Sequence, residues 1–166
     1  MRLVLAALLS ATPAMAADLC QTVTAAHSLQ YLRDEKSGGI VQMIKPAAFP
    51  EAVTGFVVKS DPSFQDQKFE IFPLGGGAGL AVHYEGSEAE QYNMMFDRIG
   101  GALKAVAIPN LNPEADSYLN LYAATIGGVP ALFLNNEKPE GTVTRIVPWQ
   151  NHTWGAVCEL KSAAGK

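Results

Sequence analysis

The side chains able to do chemistry are few, and they fall in separate stretches of the chain. Trp149 and Trp154 flank Gln150-Asn151-His152-Thr153. Strand-like residues on both sides make this segment a hairpin tip. Aromatic rings beside an amide and an imidazole combine flat apolar surface with hydrogen-bond donors and acceptors, as a sugar or peptide contact requires. Trp149, Asn151, His152 and Trp154 are therefore the candidate ligand-binding residues. The competing reading folds a tryptophan into the core and leaves the polar residues to make the turn. Asn151-His152-Thr153 also spells a glycosylation sequon.

His83 stands two residues before Glu85 in an alternating stretch, which puts both on one face of a strand. Such a pair can act as base and orienter. His83 with Glu85, or His152, is thus the candidate centre of a hydrolase. The bland alternative is a satisfied strand histidine. No serine sits in G-x-S-x-G. The three histidines, at 27, 83 and 152, match no metal-ligand spacing and no H-E-x-x-H. Gly75-Gly76-Gly77-Ala78-Gly79 lies between two strand-like segments and is followed by no Lys-Ser/Thr, so it reads as a hairpin loop and not a phosphate cradle. Asn110, Asn112, Glu114 and Asp116 echo the first ligands of a calcium loop, but Ala115 and Leu121 stand where Gly and a bidentate Glu belong. The sequence carries no motif for a metal or a cofactor, and no catalytic signature beyond the His/carboxylate candidates.

Two cysteines, Cys20 and Cys158, lie near opposite ends of the chain. An even count in an exported protein predicts a disulfide between them. Export itself is read from the N-terminus. Met1-Arg2 is a positive start, Leu3 to Leu9 an apolar run, and Ala14-Met15-Ala16 a small-residue cleavage site, so residues 1–16 form a secretory signal peptide. The run is far shorter than the roughly 20 residues of a membrane span. Asp18 and Leu19 before Cys20 do not suit lipid attachment. The expected location is the periplasm or the medium, with no membrane insertion after cleavage.

The elements that must position these residues follow from the apolar pattern. Leu19, Val23, Ala26, Leu29 and Leu32 predict a helix over 19–36. Residues 40–54 carry no clear pattern. Segments 55–59, 68–72 and 80–84 read as a three-stranded meander. Ser87-Glu88-Ala89-Glu90 resembles a capping box before Tyr92, Met95, Phe96, Ile99, Leu103 and Val106, which predicts a helix over 88–106. Asn112-Pro113-Glu114 predicts another, carrying Tyr118, Leu119, Tyr122 and Ile126 and ended by Gly127-Gly128. Segments 130–134, 142–147 and 154–160 form a second meander, and 161–166 a frayed tail. The expected fold is α+β: one domain over 17–160, with two three-stranded antiparallel meanders packed by about three helices. Ile71 and Ile146, Pro73 and Pro148, Ala81 and Ala156, and Val82 and Val157 share one offset, which raises an internal duplication against two unrelated meanders.

The chain has 166 residues, 48% hydrophobic and 17% charged, enough for one real core. A net charge of −4 gives no basic excess for a nucleic-acid backbone and no polybasic run for an anionic membrane. The expectation is an exported, non-catalytic binding or accessory module of the cell envelope, with an envelope protein or a glycan as partner. An exported hydrolase with a His/carboxylate site is the alternative. The intact mass of the exported protein should correspond to a chain beginning at Ala17 without lipid; retention of Met1 or an acyl chain would contradict the signal reading.

Overall fold

The computed structural model describes residues 14–25, 32, 39–85, 90–109, 119–138 and 141–163. Two helices are described: α1 (Ala14–Ala25) and α2 (Glu51–Ser60). Ten strands follow the chain as β1 (Val41–Met43), β2 (Glu70–Gly75), β3 (Ala78–Glu85), β4 (Glu90–Ile99), β5 (Ala102–Val106), β6 (Leu119–Ile126), β7 (Val129–Lys138), β8 (Gly141–Gln150), β9 (Thr153–Trp154) and β10 (Cys158–Ala163). They make two antiparallel sheets. The first has the order β1-β6-β7-β8-β10, with β9 paired to β8 off that path; the second is β2-β3-β4-β5.

The layers are helix, sheet, sheet, helix. Between the sheets, Leu74, Leu80, Val82 and Met95 of the second meet Leu121, Leu132, Leu134, Val147 and Trp149 of the first. On the far side of the second sheet, Val53 and Val57 of α2, with Phe64 just beyond it, cover Ile71, Ala81, Met94 and Phe96. On the far side of the first, Leu19 and Val23 of α1, with Leu32, cover Ala124, Phe133, Ile146 and Leu160. Both faces of the central strands are thus covered, while β1, β5 and β10 at the edges keep exposed positions. Short stretches within the strands are apolar at consecutive positions: Met94, Met95 and Phe96 are all buried although alternate residues face opposite layers.

This double burial explains where the sequence expectations fail. The segment expected as a helix over 88–106 is the β4–β5 hairpin, with Ile99 paired to Ala102 across Gly100-Gly101. Its apolar spacing arises because inward and outward residues are both apolar. Residues 119–126, expected in a third helix, are strand β6, turned into β7 by Gly127-Gly128. Segment 55–59, expected as a strand, lies in α2, where Val53 and Val57 are four apart on the buried face and Pro50 precedes the first turn. The fold is α+β, as expected, but the meander β2–β5 has four strands. Ala81-Val82 lie inside β3, whereas Ala156-Val157 lie in the unpaired link between β9 and β10, so the shared offset does not superpose equivalent elements. β10 extends the chain's order to Ala163, three residues into the expected tail, by pairing with β8. The expected signal peptide up to Pro13, the calcium-like run over 110–116 and the helix start at Asn112 lie outside the described residues, as does much of the expected helix beyond Ala25.

Cys20 of α1 and Cys158 of β10 form a disulfide, with Cα atoms 5.2 Å apart and a sequence separation of 138. It ties the first described helix to the last strand. Closing so long a loop is worth about 4–5 kcal/mol in the chain-entropy account. Among the described residues no helix is long and apolar enough to cross a membrane. Labelling of unfolded, unreduced protein should find no free thiol, and reduction should lower the urea midpoint without changing the native strand content; two reactive thiols before reduction would contradict the pairing.

Candidate functional site

The four described two-residue hairpin loops place both central residues at positive φ. Three are Gly-Gly: Gly76-Gly77 (62° and 89°), Gly100-Gly101 (60° and 83°) and Gly127-Gly128 (57° and 84°). These are the angles that a type I′ turn demands and glycine supplies without steric cost. The fourth, between β8 and β9, has Asn151 at 50° and His152 at 61°, with Gln150 paired to Thr153 across it. Asparagine tolerates this region and histidine enters it more often than most residues, but a side chain there costs about 1–2 kcal/mol.

The histidine is held in place from the other sheet. His152 Nδ1 lies 2.8 Å from Oδ2 of Asp97. Asp97 sits in β4 two residues after Met95, on the strand face turned toward the first sheet. Its side chain is 0% exposed, whereas that of His152 is 51% exposed. The second carboxylate oxygen, Oδ1, accepts from the backbone N–H of Arg98 at 2.7 Å. A carboxylate can only accept, so Nδ1 carries the proton and Nε2 is left facing outward. A hydrogen bond to a charged group contributes about 1.5–3 kcal/mol, comparable with the strain of one such residue. A second tie fixes the same hairpin: Trp154 Nε1 donates to the Ala107 carbonyl at 2.8 Å, just past β5.

The hairpin tip therefore differs from the expected aromatic patch. Trp149 is 4% exposed and belongs to the core between the sheets. Trp154 is half-buried and meets it edge-on, with ring centroids 4.7 Å apart. The indole faces pack the end of the sandwich. What the tip offers outward is Asn151 and His152, both exposed. Beside them lies the β2–β3 turn: a Cβ placed on Gly76 would stand 3.5 Å from His152 Cε1 and 3.9 Å from Nε2. The glycine-rich loop and the tryptophan hairpin, read separately in the sequence, thus meet. Asp97 was not singled out in the sequence. Its signal was an acid directly after the apolar run Met94-Met95-Phe96.

His83 has a different setting. It is 5% exposed, stacks on Tyr92 at 5.9 Å between centroids, and donates from Nδ1 to the Lys68 carbonyl at 3.3 Å. It is a satisfied strand histidine packed beneath Phe64. The side chain of Glu85 is outside the described residues. Among the described residues no group of three or more metal-ligating side chains converges. Nor does a serine, threonine or cysteine nucleophile among them hydrogen-bond His152. Comparison with family models, curated proteins and solved structures finds no match to this chain.

The turn can be probed directly. His152→Ala and His152→Gly both lose the bond to Asp97, but only alanine keeps the left-handed strain. Urea melts should find the glycine variant more stable by about 1 kcal/mol; equal midpoints would show that the turn is unstrained. In the same assay Trp149→Ala should cost about 3–5 kcal/mol, as for a large core ring.

Proposed function

We propose that this protein is an exported, non-catalytic binding module of the cell envelope, and that the Asn151-His152 tip is its ligand contact. The observation that carries this reading is the tip's construction. At three equivalent turns the chain uses Gly-Gly. At the fourth it keeps two side chains at positive φ and holds one of them with a fully buried carboxylate. Backbone strain retained where glycine would relieve it is a mark of a functional position. Pinning an exposed imidazole from behind also lowers the entropy lost when a partner binds it. The disulfide supports a location in an oxidising compartment, the periplasm or the medium. The partner is an envelope protein or a glycan.

A second reading rests on the Asp97–His152 pair itself. A buried carboxylate holding Nδ1–H and leaving Nε2 outward is the orienting half of a general base. An exported hydrolase would use His152 as base. Among the described residues no serine, threonine or cysteine side chain hydrogen-bonds the ring, so the base would act on water or on a hydroxyl of the ligand.

The test compares wild type with Asn151→Gly/His152→Gly, immobilised and washed with envelope extract. The reading predicts that a component retained by the wild type is lost from the variant while the variant's circular dichroism stays native. Equal retention by both would contradict it. Release of a cleaved product by the wild type alone would favour the hydrolase.

A further inference from the structure

Sheet edges are where this fold can still make backbone bonds, and the four described edges differ. β1 has three residues. β2 contains Pro73 and a register shift between Pro73 and Gly75, and its Ile71 carbonyl already accepts from the Ala47 N–H at 2.9 Å. β5 has the exposed Lys104 at its centre and no acid along its length. Short length, proline, bulges and lysine are the means by which sheets keep their edges from pairing. β10 runs for six residues, Cys158–Ala163, with no proline or glycine and an unbroken register against β8. Among the described residues no second strand and no further backbone hydrogen bond engages it. Cys158 and Leu160 are buried on the α1 face, so Glu159 and Lys161, both exposed, project from the other face. Lys161 Nζ lies 3.1 Å from Glu159 Oε1, and Nε of Arg145, opposite Glu159 in β8, lies 3.5 Å from Oε2.

We propose that β10 is an interface with a second copy of this chain, the two β10 strands pairing antiparallel about a two-fold axis through Leu160. In a symmetric antiparallel pair, facing residues both turn their N–H and C=O groups across the gap or both turn them away. That direction alternates along a strand, so the axis must pass through a residue. The charges select which residue. An axis at Leu160 sets Glu159 opposite Lys161 of the second copy, twice. An axis at Glu159 would set the two Glu159 carboxylates against each other, and one at Lys161 the two ammonium groups. Opposite charges directly across a sheet stabilise the pairing and like charges oppose it. At the Leu160 register Glu159 stands between Arg145 of its own chain and Lys161 of the second copy. The lysine that would guard a lone edge thus becomes, with Glu159 two residues away, what fixes the register. The pairing uses none of the tip's residues. Its axis stands perpendicular to the sheet, so the two His152 tips point toward opposite ends of the joined sheet.

The experiment is sedimentation equilibrium of the full exported protein over a concentration series, with Glu159→Lys, Lys161→Glu and an equimolar mixture of those two variants. The proposal predicts a reversible monomer–dimer equilibrium for the wild type that weakens as salt is raised. Each variant alone sets like charges opposite each other at the Leu160 register and should raise the dissociation constant about tenfold. In the mixture one chain carries two bases at these positions and the other two acids, so a heterodimer should form about as tightly as the wild-type dimer. Circular dichroism shows whether each variant is folded. Where a charge reversal unfolds the chain, Lys161→Gln, a change at an exposed site, should still weaken the dimer. A wild type that stays monomeric across the series, a dimer indifferent to the substitutions, or folded variants that mixing does not rescue would overturn the pairing.

Discussion

Four layers bury the central strands on both faces and leave exposed positions to the edge strands and strand ends. Each sheet is covered by the other on one side and by helical residues on the other, so in the middle of the central strands neighbouring positions are apolar on both faces, as at Met94-Met95-Phe96 and Ala131 to Leu134. This constraint determines where polar chemistry can lie. A charged side chain in mid-strand would have to be buried, at a cost of several kcal/mol unless paired. Exposed functional groups are therefore pushed to the turns at the ends of the sandwich and to the edges. Asp97 is informative because it departs from this rule. It is a fully buried acid near the end of β4, and both of its oxygens are engaged, by a histidine from the other sheet and by its neighbour's backbone N–H.

The same bond connects the two halves of the fold. His152 belongs to the β8–β9 hairpin of the first sheet and Asp97 to the second, 55 residues apart in sequence. With the Trp154 indole bonded to the Ala107 carbonyl, the hairpin is fastened over the end of the second sheet at two points. Packing, turn strain and an oriented imidazole are then parts of one arrangement. The buried indole of Trp149 fixes the base of the hairpin, the left-handed turn aims its tip, and Asp97 sets the ring.

Some of this was legible in the sequence. The Cys20–Cys158 pairing followed from an even cysteine count together with the export signal, and the β2–β3 hairpin from alternation around the glycine loop. His152 was singled out, though for its company with two tryptophans that turn out to be core. The helix expected over 88–106 arose because Tyr92, Met95, Phe96, Ile99 and Leu103 fall at helical spacing when a strand buried on both faces has no polar side to betray period two. Gly100-Gly101 and Gly127-Gly128 carried the better signal, since a glycine pair between two apolar runs is a hairpin turn. Val57 and Val58 suggested a strand, but Val53 and Val57 pack one face of α2, and tertiary burial outweighed β-branched preference. Asp97 could not be paired with His152 from sequence, because their contact depends on how two sheets stack.

The central claim is that a buried Asp97 holds His152 in one tautomer and one orientation at the exposed tip. A long-range proton–nitrogen correlation spectrum of the imidazole rings tests it most directly. The account predicts a His152 ring with a slowly exchanging proton on Nδ1, lost on Asp97→Ala. A ring whose proton resides on Nε2, or averages rapidly over both nitrogens and ignores the Asp97 substitution, would contradict it.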